Sequence, residues 1–308
     1  MKRAHGTSFG KIILLGEHSV VYYEPAIAIP FEGAKIDVII TPTTGDITIK
    51  CFNYTGCLNE APVNLLGLKT VIEATLKKLN VKQQDLAIDI VSSIPAERGM
   101  GSSAAVSNAT IRAIYAYFDQ EVSEEELLEL VDISEKIVHG NPSGLDASIV
   151  VKNETLYYTK GEPFEPFHLD LDAVLIVADT GLKGNTKIAV ERVAKKYADD
   201  DSTKTMIQEL GNFAKDGRGA IEATDAHRLG TLMYQAQSHL KALGVSNLTI
   251  DNLVDTAMSN GALGAKLTGG GLGGCMIALA NDQESADKIA SALKSAGAMN
   301  TWTMHLKA

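Results

Sequence analysis

Cysteine is scarce: Cys51, Cys57 and Cys275 are the only three in 308 residues. They cannot all pair with one another, and their spacing holds no zinc-ligand pattern, so neither a disulfide framework nor a structural zinc site is expected. Cys275 opens the apolar run Cys275–Ala280, where a buried structural thiol is a better reading than a nucleophile. Long apolar stretches are missing as well. After the basic start Met1-Lys2-Arg3, the segment Ile12–Leu15 runs straight into Gly16-Glu17-His18, which does not read as a signal peptide. Ala173–Ala178 and Cys275–Ala280 are far too short to span a bilayer. A soluble, cytoplasmic protein is expected. Basic clusters are also lacking. A net charge of −10, with no block of Lys or Arg to follow a phosphate backbone, argues against nucleic acid and membrane surfaces as partners.

What is present is apolar material along the whole chain, 45% of residues, enough for two cores. Strand-like segments are Ile12–Leu15, Ala26–Ile29, Ile36–Thr41 and Ile47–Cys51. Leu68, Ile72, Leu76 and Leu79 mark a helical face, and Leu86, Ile88 and Ile90 alternate as in a strand. A helix follows Ser102 to about Phe118. Another begins at the capping box Ser123…Glu126 and stops at Gly140 and Pro142. A hairpin is expected from Ser148–Val151 and Thr155–Tyr158, and a domain boundary near Lys160–Pro166, dividing the chain into 1–165 and 166–308. The second part reads as a strand (Ala173–Asp179), three or four helices between Lys187 and Ser259, and a strand (Gly264–Leu267). A strand (Cys275–Leu279), a helix (Gln283–Ala296) and a last strand (Thr301–Leu306) complete it. Strands and helices mix without Rossmann alternation, so the expected class is α+β.

Glycine-centred segments carry the chemical signal. Gly10–Val21 contains Gly-Glu-His-Ser-Val-Val, and Ile94–Ala105 contains Gly99-Met100-Gly101-Ser102-Ser103-Ala104. Lys266–Cys275 contains Gly269-Gly270-Gly271. In the second, a strand ends, glycines allow close backbone approach, and two hydroxyls open a helix whose free N–H groups and dipole favour a phosphate. Taken alone, it reads equally well as a tight turn with a serine cap. Gly99-x-Gly101-x-x-Ala104 and Gly269-x-Gly271-x-x-Gly274 both fit the dinucleotide fingerprint, but neither has the strand–helix–strand context, so hydride transfer is the weaker reading. No Gly-x-x-x-x-Gly-Lys-Ser/Thr loop, Asp-Phe-Gly or His-Arg-Asp occurs, which excludes P-loop and protein-kinase machinery. In the fourth segment, Glu135–Asp146, a helical Glu135 and an Asp146 just past a Gly-Pro-Gly stretch can converge on one cavity.

In order and spacing, these four segments resemble the motifs of the GHMP kinases, the superfamily of galactokinase, homoserine kinase, mevalonate kinase and phosphomevalonate kinase. The combination of Gly-Glu-His-Ser-Val-Val with His-Gly-Asn-Pro-Ser-Gly-Leu-Asp is most similar to its mevalonate kinases. The resemblance implies an N-terminal α+β domain, a ferredoxin-like C-terminal domain and an active site in the cleft between them. It also implies ATP-dependent phosphorylation of mevalonate, with magnesium as cofactor; a homodimer is left open. By resemblance, Asp146 is the catalytic aspartate and Lys11 the lysine paired with it, while Ser103 and Glu135 are magnesium ligands. Gly99, Met100, Gly101, Ser102, Ser103 and Ala104 cradle the nucleotide phosphates. Glu17, His18 and Thr186 lie near mevalonate, and Gly269, Gly270 and Gly271 form the floor of the site. The chain departs from the family pattern at Met100, Leu272 and Arg98. Met for Leu conserves volume. Arg98 stands where a small residue is usual, and a guanidinium there is electrostatically compatible with a triphosphate.

Overall fold

The computed structural model describes residues 2–82, 84–140, 142 and 144–307. In chain order the strands are β1 (Ala4–Leu15), β2 (Ala26–Pro42), β3 (Thr48–Cys51), β4 (Tyr54–Cys57), β5 (Leu86–Ser92), β6 (Leu156–Tyr158), β7 (Glu165–Pro166), β8 (Val174–Asp179), β9 (Gly264–Thr268), β10 (Cys275–Ala280) and β11 (Asn300–His305). The helices are α1 (Leu66–Lys78), α2 (Ser102–Tyr117), α3 (Glu124–His139), α4 (Leu145–Lys152), α5 (Thr186–Asp199), α6 (Asp201–Glu222), α7 (Ala226–Leu243), α8 (Leu248–Ser259) and α9 (Gln283–Ser295). None of these helices is long and apolar enough to cross a membrane.

Two compact units are built from interleaved segments. The first comprises Met1–Lys11, Pro30–Pro95 and Gly101–Asn153; the second comprises Ile12–Ile29, Ala96–Met100 and Glu154–Ala308. In the first unit, β3 lies between β4, its antiparallel hairpin partner, and β5, which it meets in parallel. The strand β2 adds to β5 from Ile36 to Pro42. Ala26–Ile29 and Ile36–Thr41 therefore belong to one continuous strand. Pro30 falls between the residues of its ladder with β6 and those of its ladder with β5. Helices α1 to α4 pack on one another. The face of α1 carrying Leu68, Val71, Ile72 and Leu76 is buried, and Ser123 caps α3 by accepting the Glu126 N–H, as the capping box predicts.

The sequence-based hairpin at 148–151 does not form. Leu145–Lys152 is a helix that packs on α2 and α3, with Ile149, Val150 and Val151 all buried. A short β-branched run with no polar alternation has the same pattern whether it is a strand or a helix buried on several sides. Tertiary burial decides for the helix. Asp146 consequently sits in a first helical turn, just after Gly144, whose φ of +82° is left-handed. Asn141 and Ser143 of the same motif lie outside the described residues.

In the second unit, β8, β9, β10 and β11 form an antiparallel sheet in the order β11-β8-β10-β9. Numbered within this unit, that is 4-1-3-2 with helical connections after the first and third strands, the ferredoxin-like arrangement. Four helices, α5 to α8, fill the first connection. Helices α7, α8 and α9 pack on the sheet, and β8, β9 and β10 are buried throughout. Cys275 is fully buried at the start of β10, and burial pushes its thiol far above the usual range. Asn185, Asp200, Asp225, Asn247 and Asp282 cap α5 to α9 in turn with side-chain oxygens.

Backbones come close where α7 meets β9: a Cβ on Gly264 would stand 1.9 Å from the Gly230 carbonyl oxygen. Gly264→Ala should therefore lower stability by about 1–3 kcal/mol, the cost of overpacking a core. Gly219→Ala in α6 meets nothing within 4 Å and should raise stability by roughly 0.5–1 kcal/mol through helix propensity. Urea denaturation of the two variants reads both effects. Equal midpoints would mean that the α7–β9 packing is looser than described.

Candidate functional site

Within the first unit, Lys11 and Asp146 form an ion pair, Lys11 Nζ standing 3.0 Å from Asp146 Oδ1. The lysine side chain is 4% exposed and the aspartate 33%. An ammonium so far out of water needs a close opposite charge, and Asp146 provides it while keeping one side open to solvent. The stem of Lys11 passes the start of α2. A Cβ at Gly101 would lie 2.8 Å from Lys11 Cγ, and Gly101 has a left-handed φ of +68°. Glycine is required there on both counts. Ser102 and Ser103 are the first residues of α2, with Ala104 buried behind them.

Glu135, on α3, is buried at 2% exposure and accepts a hydrogen bond from Ser103. Burial first, and then the negative charge of Asp146, push its carboxyl up to about 7; Ser103 and Lys11 oppose the shift. The structure thus brings together Lys11, Ser103, Glu135 and Asp146. Among the described residues no group of three or more His, Cys, Asp or Glu could hold a metal ion. What gathers here is an oxygen donor set, one hydroxyl and two carboxylates, of the kind that hard cations with few protein ligands accept.

The other predicted residues lie in the second unit. Glu17 is fully buried in an ion pair with Lys266, whose Nζ also donates to the Leu267 carbonyl at 2.7 Å. Burial draws the Lys266 ammonium below its ordinary range while Glu17 opposes the shift. His18, at φ +63° and 5% exposed, places Nε2 3.0 Å from the Gly270 carbonyl oxygen. Burial lowers the imidazole to about 4, so it is neutral at neutral pH and donates from Nε2. Gly270 sits against Thr186 at the start of α5; a Cβ there would come within 2.6 Å of Thr186 Oγ1. Gly99 faces the Thr268–Gly269 backbone, and Met100 is buried. Glu17, His18, Thr186 and the Gly269–Gly271 loop are therefore neighbours.

Two features escaped sequence reasoning. Lys266 opens a glycine motif that points to no role for it, although a lysine inside the apolar strand Gly-Ala-Lys-Leu-Thr signals a buried carboxylate partner. Arg98 turns to Asp179, with Nε 2.8 Å from Oδ1.

The description "GHMP kinases N terminal domain" matches residues 67–153, and "GHMP kinases C terminal" matches residues 218–298. The chain is 35% identical to the mevalonate kinase of Thermococcus sibiricus, over 94% of this chain and 92% of that protein. The crystal structure of L. major mevalonate kinase in complex with R-mevalonate aligns with a TM-score of 0.85 at 25% identity, covering 98% of this chain and 95% of that one. Mevalonate kinase from methicillin-resistant Staphylococcus aureus MRSA252 aligns over the whole of both chains, with a TM-score of 0.78 and 32% identity. By sequence over nearly its full length, and by fold, the chain belongs to the mevalonate kinase family of the GHMP kinases.

Proposed function

We propose that the protein transfers the γ-phosphoryl group of ATP to mevalonate, giving 5-phosphomevalonate, a step of the mevalonate pathway of isoprenoid biosynthesis. The observation that carries this reading is the ion pair of buried Lys11 with Asp146, set beside Glu135 and Ser103 in a chain of this family.

Phosphoryl transfer passes through a loose transition state, so the attacking alcohol needs positioning more than activation. A carboxylate and an alcohol differ by about 12 pKa units, taking the alcohol as similar to water, which makes deprotonation before attack far uphill. Asp146 accepts the proton late, as the new O–P bond forms and the bond to the departing ADP breaks. Its solvent-facing side gives the proton a way out. Lys11 holds the aspartate in place and offsets negative charge developing on the transferring oxygens. Gly101, Ser102 and the start of α2 offer backbone N–H groups to phosphate oxygens, with Gly99, Met100 and Ala104 completing the loop. Ser103 and Glu135 would hold magnesium, whose charge, when bound, neutralises the triphosphate.

His18 and Thr186 are the proposed mevalonate contacts, and Gly269–Gly271 the floor beneath them. Glu17 is committed to Lys266, so its part is to hold the turn that carries His18.

A coupled ADP-release assay across mevalonate, phosphomevalonate, galactose and homoserine should respond strongly to mevalonate alone. A faster rate with another alcohol would reassign the substrate, and no turnover with any would point to a metabolite sensor.

The two carboxylates should separate on mutation. Asp146→Asn should lower kcat at least about a hundredfold with ATP affinity nearly intact. Glu135→Gln should raise the magnesium concentration needed for half-maximal rate, and excess magnesium should restore part of the activity. Rescue of Asp146→Asn but not of Glu135→Gln would reverse the roles.

Glu135 should also mark the pH dependence of stability. Its folded carboxyl is raised to about 7 from 4.5. The folded state therefore binds the extra proton between those values, and stability falls as pH rises through that window. Without nucleotide or metal, Glu135→Gln should flatten this slope in melts from pH 4.5 to 8. An unchanged slope would show that Glu135 ionises normally.

A further inference from the structure

Arg98 stands beside the glycines of the proposed phosphate loop, yet its guanidinium is already engaged. Nε donates to Asp179 Oδ1 at 2.8 Å and Nη2 to the Gly181 carbonyl at 3.1 Å. The Gly181 N–H donates to the same Asp179 Oδ1 at 2.9 Å, closing a small ring of hydrogen bonds. Both side chains are largely withdrawn from water, at 14% and 6% exposure. Asp179 is the last residue of β8, paired across the sheet with Cys275 and Asn300. The Arg98 carbonyl accepts from the Cys275 N–H at 3.2 Å, and the neighbouring Glu97 carbonyl from the Gly184 N–H at 2.8 Å.

We propose that Arg98 is a positioning residue: its ion pair with Asp179 pins the Glu97–Met100 stretch of the nucleotide loop to the end of the second unit's sheet. Within this stretch Glu97 has a φ of +59°, a left-handed conformation costly for a residue with a side chain, which needs the surrounding structure to hold it. The guanidinium supplies a planar, multi-donor anchor that a small residue cannot. It is spent on the protein's own carboxylate, so it adds no direct charge to the triphosphate. This rests on the reading that the Gly99–Ala104 loop binds nucleotide.

Direct calorimetric titration of ATP separates the possibilities. Arg98→Met and Asp179→Asn should each weaken ATP binding about tenfold, the scale of one lost charged hydrogen bond and the preorganisation it supplied. The KM for mevalonate should stay unchanged. The double variant should be no worse than either single one, because both remove the same anchor. Arg98→Lys keeps the charge and one donor, should lose less, and carries the test if the methionine variant does not fold. If Asp179→Asn leaves ATP affinity intact or tightens it while Arg98→Met weakens it, Arg98 is a phosphate ligand and the proposal is overturned. It is equally overturned if folded variants bind ATP as the parent does, since the pair is then only structural. A parent protein that binds no ATP would instead refute the nucleotide reading itself.

Discussion

An ammonium held almost entirely out of water is the constraint around which the first unit is arranged. Lys11 lies on β1 with its side chain buried, and burying its charge without a close opposite charge would be costly. Its partner comes from the first turn of α4, so that helix must begin where it does, after a left-handed glycine. The space for the lysine stem is the missing Cβ of Gly101. One electrostatic requirement thus bears on two glycines and on where a helix starts. The raised Glu135 carboxyl is a by-product of the same crowding, since an acid that is itself buried, and that stands beside Asp146, resists ionising.

The second unit solves a similar problem on its own terms. Lys266 is enclosed within β9, and Glu17 reaches it from the turn after β1. A fully buried pair gives little net stability, but removing one member is costly, so it specifies geometry more than it adds energy. Here the geometry specified is that of the turn holding His18 against Gly270.

Much of this was legible in the sequence because it rested on local rules. The α2 start followed from small residues and hydroxyls after a strand, the cap of α3 from Ser123 and Glu126, and the sheet of the second unit from short apolar runs between helices. The convergence of Glu135 and Asp146 followed from a helix stop between them. What was not legible depended on partners distant in sequence. Nothing local distinguishes Ser148–Val151 from a strand, because burial of that segment against α2 and α3 is set by packing. Arg98 and Asp179 are 81 positions apart, and no periodicity joins them. Lys266 left a legible trace as the one charge in an apolar strand, although Glu17 could not be inferred from it.

The thiol of Cys275 carries a practical consequence. It lies fully enclosed on an inner strand and is held in its protonated form, so alkylating reagents can reach it only when β10 separates from its neighbours. Cys51 and Cys57 are partly accessible on the β3–β4 hairpin and belong to the other unit. The protein therefore carries two prompt thiols and one latent one, and the lag before the third is labelled is an intrinsic clock for the opening of the ferredoxin-like sheet.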